Sequence, residues 1–164
     1  MTETINLKSL SLENITPEAF APYGQIITPD EDGKPFDEKD AQLDLSQGTP
    51  RFYIMRLRDR ERQFADIARH QQCTQCLGAL GGQEWFLAVA PPSEASEVDL
   101  ESLRAFRIPG NCFIKLHKGT WHAGPYFDAP VVDFYNLELS NTNEVDREVY
   151  DFKQQSSIMF QMID

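Results

Sequence analysis

The sequence is poor in histidine, in cysteine and in positive charge. Its 164 residues hold three histidines, three cysteines, and fifteen lysines and arginines against twenty-six acids, a net charge of −11 at pH 7. So acidic a chain repels the phosphates of nucleic acid and an anionic membrane surface, and neither is expected as a partner. A small anionic substrate stays open, because a local basic pocket can form inside an acidic surface. An odd cysteine count speaks against a secreted disulfide framework. Cys73 and Cys76 have the spacing of a CxxC pair, but a zinc site needs a second pair and Cys112 stands alone. On a strand, positions 73 and 76 face opposite sides, so both are expected as small core or wall residues. No apolar run approaches the roughly 20 residues that span a bilayer. Met1 to Leu12 is polar and lacks a secretory-signal pattern. A reducing cytoplasm is the expected location.

What is present is a globular composition, 41% hydrophobic and 25% charged. A chain of this length is expected to form a single domain, 1–164, around one sizeable core. Thr16-Pro17-Glu18 is a helix start, with Thr as N-cap and Pro at the first helical position. Pro22 ends that helix quickly, and Tyr23 to Ile27 reads as a strand. Further strands are expected at Phe52–Leu57, over the run from Phe64 to Leu80, at Glu84–Ala90, Arg104–Ile108, Asn111–Leu116 and Val131–Leu139. Gly81-Gly82 makes a turn, and Asp99 to Leu103 one helical turn. Many short strands between Gly and Pro turns point to an all-β barrel or sandwich with a few short helices.

Asp30 to Pro50 has no periodicity and is rich in acids. So long a loop is either a solvated excursion or a flap over a pocket. Arg56, Arg58, Arg60 and Arg62 alternate, so a continuing strand would put all four on one face. The stretch from Arg107 to Pro125 organises the chain. It holds His117 and His122, with Gly119 as a tight turn between them. A histidine just past such a turn points where a small ligand can sit. On an unbroken strand the two histidines would face opposite sides; the turn allows them to converge. Trp121 and Tyr126 are either pocket wall or core aromatics. Glu84 and Asp133, acids within apolar strands, are read as the outward residues of alternating strands.

The order of elements resembles a cupin, a small jelly-roll β-barrel. The first cupin motif runs H-x-H, then E, then G; the matching positions here are His70, Gln72, Gln75 and Gly82. The second ends P-x-G-x-x-H; here it reads His117, Gly119 and His122, with His117 in place of the proline. T-P-E-A-F-A-P-Y-G (Thr16 to Gly24), the R-H and T-Q pairs between Arg69 and Gln75, L-H-K-G-T-W-H (Leu116 to His122) and V-D-F (Val132 to Phe134) resemble the ureidoglycolate lyase family. The resemblance implies a cytoplasmic homodimer that splits ureidoglycolate into urea and glyoxylate. It further implies a divalent metal in some members. Two of the usual metal positions carry glutamine here, so a tight metal is not expected. A weakly held nickel, manganese or zinc would take His70, Gln75 and His122.

Cleaving such a carbinolamide requires a base for the hydroxyl proton, an acid for the leaving nitrogen and a cation for the carboxylate. Histidine suits the first two tasks, with a pKa of about 6.5. His122 and His117 are the candidate base and acid, in either order. Arg69, His70, Gln75, Lys115 and Trp121 are the candidate substrate-binding residues, with Arg107 a further choice for the cation. The competing reading is a non-catalytic cupin that binds or senses a small carboxylate.

Overall fold

The computed structural model describes residues 2–164. They form β1 (Asn6–Asn14), α1 (Pro17–Phe20), β2 (Gly24–Ile27), β3 (Pro50–Arg58), β4 (Gln63–Phe64), β5 (Asp66–Arg69), β6 (Gln75–Ala79), β7 (Gly82–Ala90), β8 (Arg104–Gly110), β9 (Phe113–Leu116), β10 (Trp121–Tyr126), β11 (Val131–Leu139), α2 (Thr142–Val145), β12 (Glu148–Asp151), α3 (Phe152–Ser156) and β13 (Ile158–Ile163). A single 3-10 turn, Leu100–Ser102, falls where one helical turn is expected. The strands make an eight-stranded sheet, β12-β5-β10-β7-β8-β1-β13-β4, and a five-stranded sheet, β2-β9-β6-β11-β3. The fold is all-β and cupin-like.

β7 shows how the sequence specifies the layers. Its run Trp85 to Ala90 is apolar at every position because both faces are buried. Trp85, Leu87 and Val89 enter a core with Leu77, Ile114 and Phe134 of the smaller sheet. Phe86, Ala88 and Ala90 join a second cluster with Trp121, Phe152 and Phe160. That second cluster is closed by the C-terminal tail, which packs within its own chain. β13 pairs in parallel with β1, and the Phe160 ring lies 5.2 Å from that of Phe64. Thr16 caps α1 as its residue type predicts, accepting from the Ala19 amide at 3.1 Å.

Two expectations are corrected and a third gains detail. Asp59 adopts a left-handed φ of 52°, so β3 ends at Arg58 and the four arginines do not share a face. Arg56 pairs with Asp133, and Arg62 with Asp128 and Asp164. The run from Phe64 to Leu80 is three strands, β4, β5 and β6. A turn follows His70 because the Asp146 carboxylate accepts from the amides of Gln71 and Gln72, at 2.9 and 2.8 Å. The acidic segment from Asp30 holds no strand or helix before Pro50, yet it is pinned down. Lys34 gathers Asp37 and Asp40 at 3.2 and 3.0 Å. Gln25 of β2 donates to the carbonyls of Glu38 and Asp40 and accepts from the amide of Gln42.

Candidate active site

Between the sheets, where β5 and β10 face β3, β6 and β11, the interior opens into a cavity of about 240 Å³. Period-two alternation aims its lining. Asp66, Ala68 and His70 come from β5 and its end, His122 and Tyr126 from β10, Asn136 and Glu138 from β11. The pairing of His122 with Ala68 brings the two histidines together, with ring centroids 5.2 Å apart.

Both imidazoles are anchored through Nδ1. His70 Nδ1 lies 2.6 Å from the Asp146 carbonyl, and His122 Nδ1 lies 3.2 Å from the Thr120 carbonyl. A carbonyl only accepts, so each neutral ring carries its proton on Nδ1 and presents a lone pair on Nε2. Burial lowers the pKa of His70, against the raising effect of the Asp146 carbonyl and carboxylate. His122 keeps part of its ring open to the cavity, but protein atoms crowd it on all sides. That desolvation, with the nearby His70, holds its pKa down to about 3. Both rings are therefore neutral at pH 7 and act as acceptors.

Opposite them lies an amide–carboxyl network. Gln75 Nε2 donates to Asn136 Oδ1 at 3.0 Å and to Glu138 Oε2 at 3.3 Å. Asn136 Nδ2 donates to the Tyr53 hydroxyl at 3.2 Å. This orientation leaves Gln75 Oε1 buried without a partner among the described residues. A buried acceptor in that condition costs free energy until something donates to it. Glu138 is 2% exposed, and burial raises its carboxyl above the ordinary range. Tyr126 is pushed up to about 12 by burial and by Asp66, so its hydroxyl stays protonated. Arg60 and Arg147 also line the cavity, and neither has an acid within ion-pair distance among the described residues.

Of the residues singled out from sequence, the cavity gathers His70, Gln75 and His122, with Tyr126 as wall and Arg60 from the alternating arginines. It does not gather the others. Arg69 is 3% exposed, bonded to Glu148 and to the Ser93 carbonyl, with its guanidinium 4.4 Å above the Trp121 ring. Trp121 lies in the second core cluster, on the opposite face of β10 from His122. His117 does not converge with His122. Its Nε2 lies 3.1 Å from the Ala21 carbonyl and its Nδ1 3.0 Å from Lys115 Nζ, in a separate cavity. A seam too tight for a water-sized sphere separates the two histidines. Lys115 alternates with the core residues Ile114 and Leu116, so it faces outward from the smaller sheet. Arg107 is held by Glu84 and Asp164. Glu84 and Asp133 are outward, as read. Asn136, Glu138, Tyr53 and Arg147 were missed. Asn136 and Glu138 carried a signal, since they fall in phase with Val132 and Phe134 on the buried face of β11.

For a divalent ion the donor set is thin. Gln72 is exposed and does not line the cavity. Two imidazole Nε2 atoms and the orphaned Gln75 oxygen remain, and no group of three or more His, Cys, Asp and Glu gathers among the described residues. Two nitrogens and a neutral oxygen fit a loosely held ion and not a tight one.

A cupin-like barrel whose interior cavity is walled by two neutral histidines and an amide–carboxyl network is the class of protein that fold and site define. The family model described as ureidoglycolate lyase matches residues 7–159, so the chain belongs to the ureidoglycolate lyase family, a family of enzymes. Similar curated proteins include the ureidoglycolate lyase of Pseudomonas syringae pv. tomato, 28% identical over 128 residues, which cover 71% of this chain and 74% of that protein. The ureidoglycolate lyase of Burkholderia mallei is 30% identical over the same shares. Among solved structures, a dTDP sugar isomerase from Desulfovibrio desulfuricans superposes with a TM-score of 0.49 at 15% identity, covering 82% of this chain and 88% of that one. Among the described residues, no helix is long and apolar enough to cross a membrane.

Proposed function

We propose that the chain is a carbon–nitrogen lyase that splits ureidoglycolate into glyoxylate and urea. The observation that carries this reading is the pair of Nδ1-anchored, neutral imidazoles facing a buried, unpartnered amide oxygen across a small polar cavity. The substrate carboxylate goes to Arg60 and Arg147, the free cations of the cavity. A ureido N–H donates to Gln75 Oε1. His122 Nε2 takes the proton of the carbinol hydroxyl. The oxygen's electron pair forms the carbonyl, and the C–N bond breaks toward nitrogen. The proton on His122 then passes to the urea nitrogen, so no net proton is gained or lost. His70 keeps that proton transient, because two adjacent imidazoles resist a charge on either. Tyr126, whose hydroxyl stays protonated, is the group able to donate to the departing urea, and burial raises the pKa of the Glu138 carboxyl in the same cavity.

A weakly held nickel, manganese or zinc would sit on His70, His122 and Gln75, and would supply Lewis-acid polarisation of a substrate oxygen. The reading includes a cytoplasmic homodimer. It is supported by the outer face of the smaller sheet, where Phe52 and Ile54 are 65% and 56% exposed beside the stacked rings of Tyr135 and Phe113.

The test is glyoxylate release from ureidoglycolate by purified protein, with and without added nickel, manganese or zinc. Release above the spontaneous rate that falls by about 100-fold or more in His122→Ala, but not in Glu84→Ala, supports the assignment. No release under any metal condition sinks it. A thermal upshift with small carboxylates and no turnover would instead make the protein a carboxylate binder.

A further inference from the structure

A second cavity, of about 740 Å³, lies on the outer side of the smaller sheet, between β2 and the acidic segment that Gln25 pins over it. Its most unusual group is Lys115. The residue is 4% exposed, and no carboxylate lies within ion-pair distance of its Nζ among the described residues. A buried ammonium without a counter-charge is costly. Its strand neighbour Cys76 supplies none, since burial pushes that thiol up to about 11 and keeps it neutral.

The partner Lys115 does have is chemically specific. His117 Nε2 faces the Ala21 carbonyl, which only accepts, so the ring proton sits on Nε2. Nδ1 is then a lone pair, 3.0 Å from Lys115 Nζ. An amine in an apolar setting beside a proton acceptor is the arrangement that activates lysine toward carbonyl compounds. Burial lowers the pKa of both groups, the direction that favours a free amine beside a free lone pair. The surroundings select the ligand. Ala21, Ile26 and Ile27 give apolar walls, and the acids Glu18, Glu38 and Asp40 border the opening. Of the two lysines that the covering segment brings to the cavity, Lys34 is already taken by Asp37 and Asp40, and Lys39 alone does not offset the acids Glu18, Asp30 and Glu38. A carboxylate would be repelled; a neutral, mostly apolar molecule would not.

We propose that this cavity is a second site, in which the Lys115 amine captures an uncharged aliphatic aldehyde as an imine and His117 moves the proton. The Nζ lone pair forms the new C–N bond while the carbonyl π pair moves to oxygen. One Nζ proton passes through His117 Nδ1 to that oxygen. The remaining Nζ proton then passes through His117 Nδ1 to the hydroxyl, which leaves as water while the nitrogen lone pair forms the C=N bond. Amine and aldehyde give imine and water, and no oxidant or reductant takes part.

The experiment is reductive trapping on the full chain. Propionaldehyde is added with cyanoborohydride as the trap, and modified lysines are mapped by peptide mass spectrometry. The expected result is propylation of Lys115 first, with the exposed Lys8 and Lys153 together below about a tenth of its extent. His117→Asn slows that labelling, and Lys115→Arg removes it. Labelling that follows exposure and spares Lys115 overturns the proposal. So does faster trapping of glyoxylate than of propionaldehyde at Lys115, because it would assign the wrong ligand class. The map of the native chain decides the matter even if a variant fails to fold.

Discussion

If His122 is neutral because it is crowded, folding must exclude a proton that the unfolded chain would bind, and stability must carry that signature. An unfolded histidine titrates near 6.5, whereas folded His122 is held down to about 3. Above 6.5 the ring is neutral in both states and contributes no pH dependence. Below it the unfolded state binds the extra proton, so stability falls as pH falls, until the folded pKa is reached. At pH 5 the deficit from this one group is about 2 kcal/mol, from the ratio of proton-binding terms in the two states. His70, also lowered by burial, adds to it in the same direction. The assay is urea unfolding at pH 7 and pH 5 for the native chain and for His122→Asn, whose amide can still donate to the Thr120 carbonyl. Carboxylates that titrate in the same window affect both proteins alike, so the difference between their losses isolates His122. The native chain is expected to lose about 2 kcal/mol more than the variant. Equal losses would show that His122 titrates normally in the folded chain, and the assignment of a neutral base would lose its physical ground.

Arg147→Ala and Arg60→Ala are expected to raise KM for ureidoglycolate by about tenfold with a smaller change in kcat, read from steady-state glyoxylate release, as befits a lost charge-assisted contact to carboxylate. Gly24→Ala is expected to destabilise by about 1–3 kcal/mol, measured by denaturant unfolding, because a Cβ there would clash with the Lys115 carbonyl oxygen of the paired strand. Phe52→Glu with Ile54→Glu is expected to convert a dimer to monomer in sedimentation velocity without lowering Tm, since both side chains are largely exposed in the single chain.

What was legible in the sequence was local. The Thr16 cap, the Gly81-Gly82 turn, the doubly buried β7 and the Gly119 turn, with φ of 84°, each depend on residues a few positions apart. What was not legible depends on partners far along the chain. Arg69 reads as a free cation until Glu148, 79 positions later, takes its guanidinium. His117 reads as a site residue until the Ala21 carbonyl, 96 positions earlier, turns it into another cavity. The arginine face fails on one dihedral angle at Asp59, a residue type that tolerates the left-handed region. Asn136 and Glu138 are a different case. The alternation that correctly puts Asp133 outward puts these two inward, and a carboxyl on the buried face of a strand signals a site.

The two glutamines in the first motif have separate meanings once their neighbours are known. Gln72 is exposed and serves the turn after His70 through its backbone amide. Gln75 is buried, and its amide fixes the direction of a network that ends on Glu138. A carboxylate at position 75 would face Glu138 across that same contact, and the two charges would repel. The Gln75 amide removes the repulsion, keeps one oxygen for a donor and leaves Glu138 as the buried acid. The imidazoles fit this arrangement. A ring with so low a pKa is a weak base in the empty cavity, but a bound carboxylate raises an imidazole's pKa through its charge. Substrate binding therefore strengthens the base when it is needed. The resulting imidazolium, still disfavoured by burial and by His70, readily gives the proton up to the departing nitrogen.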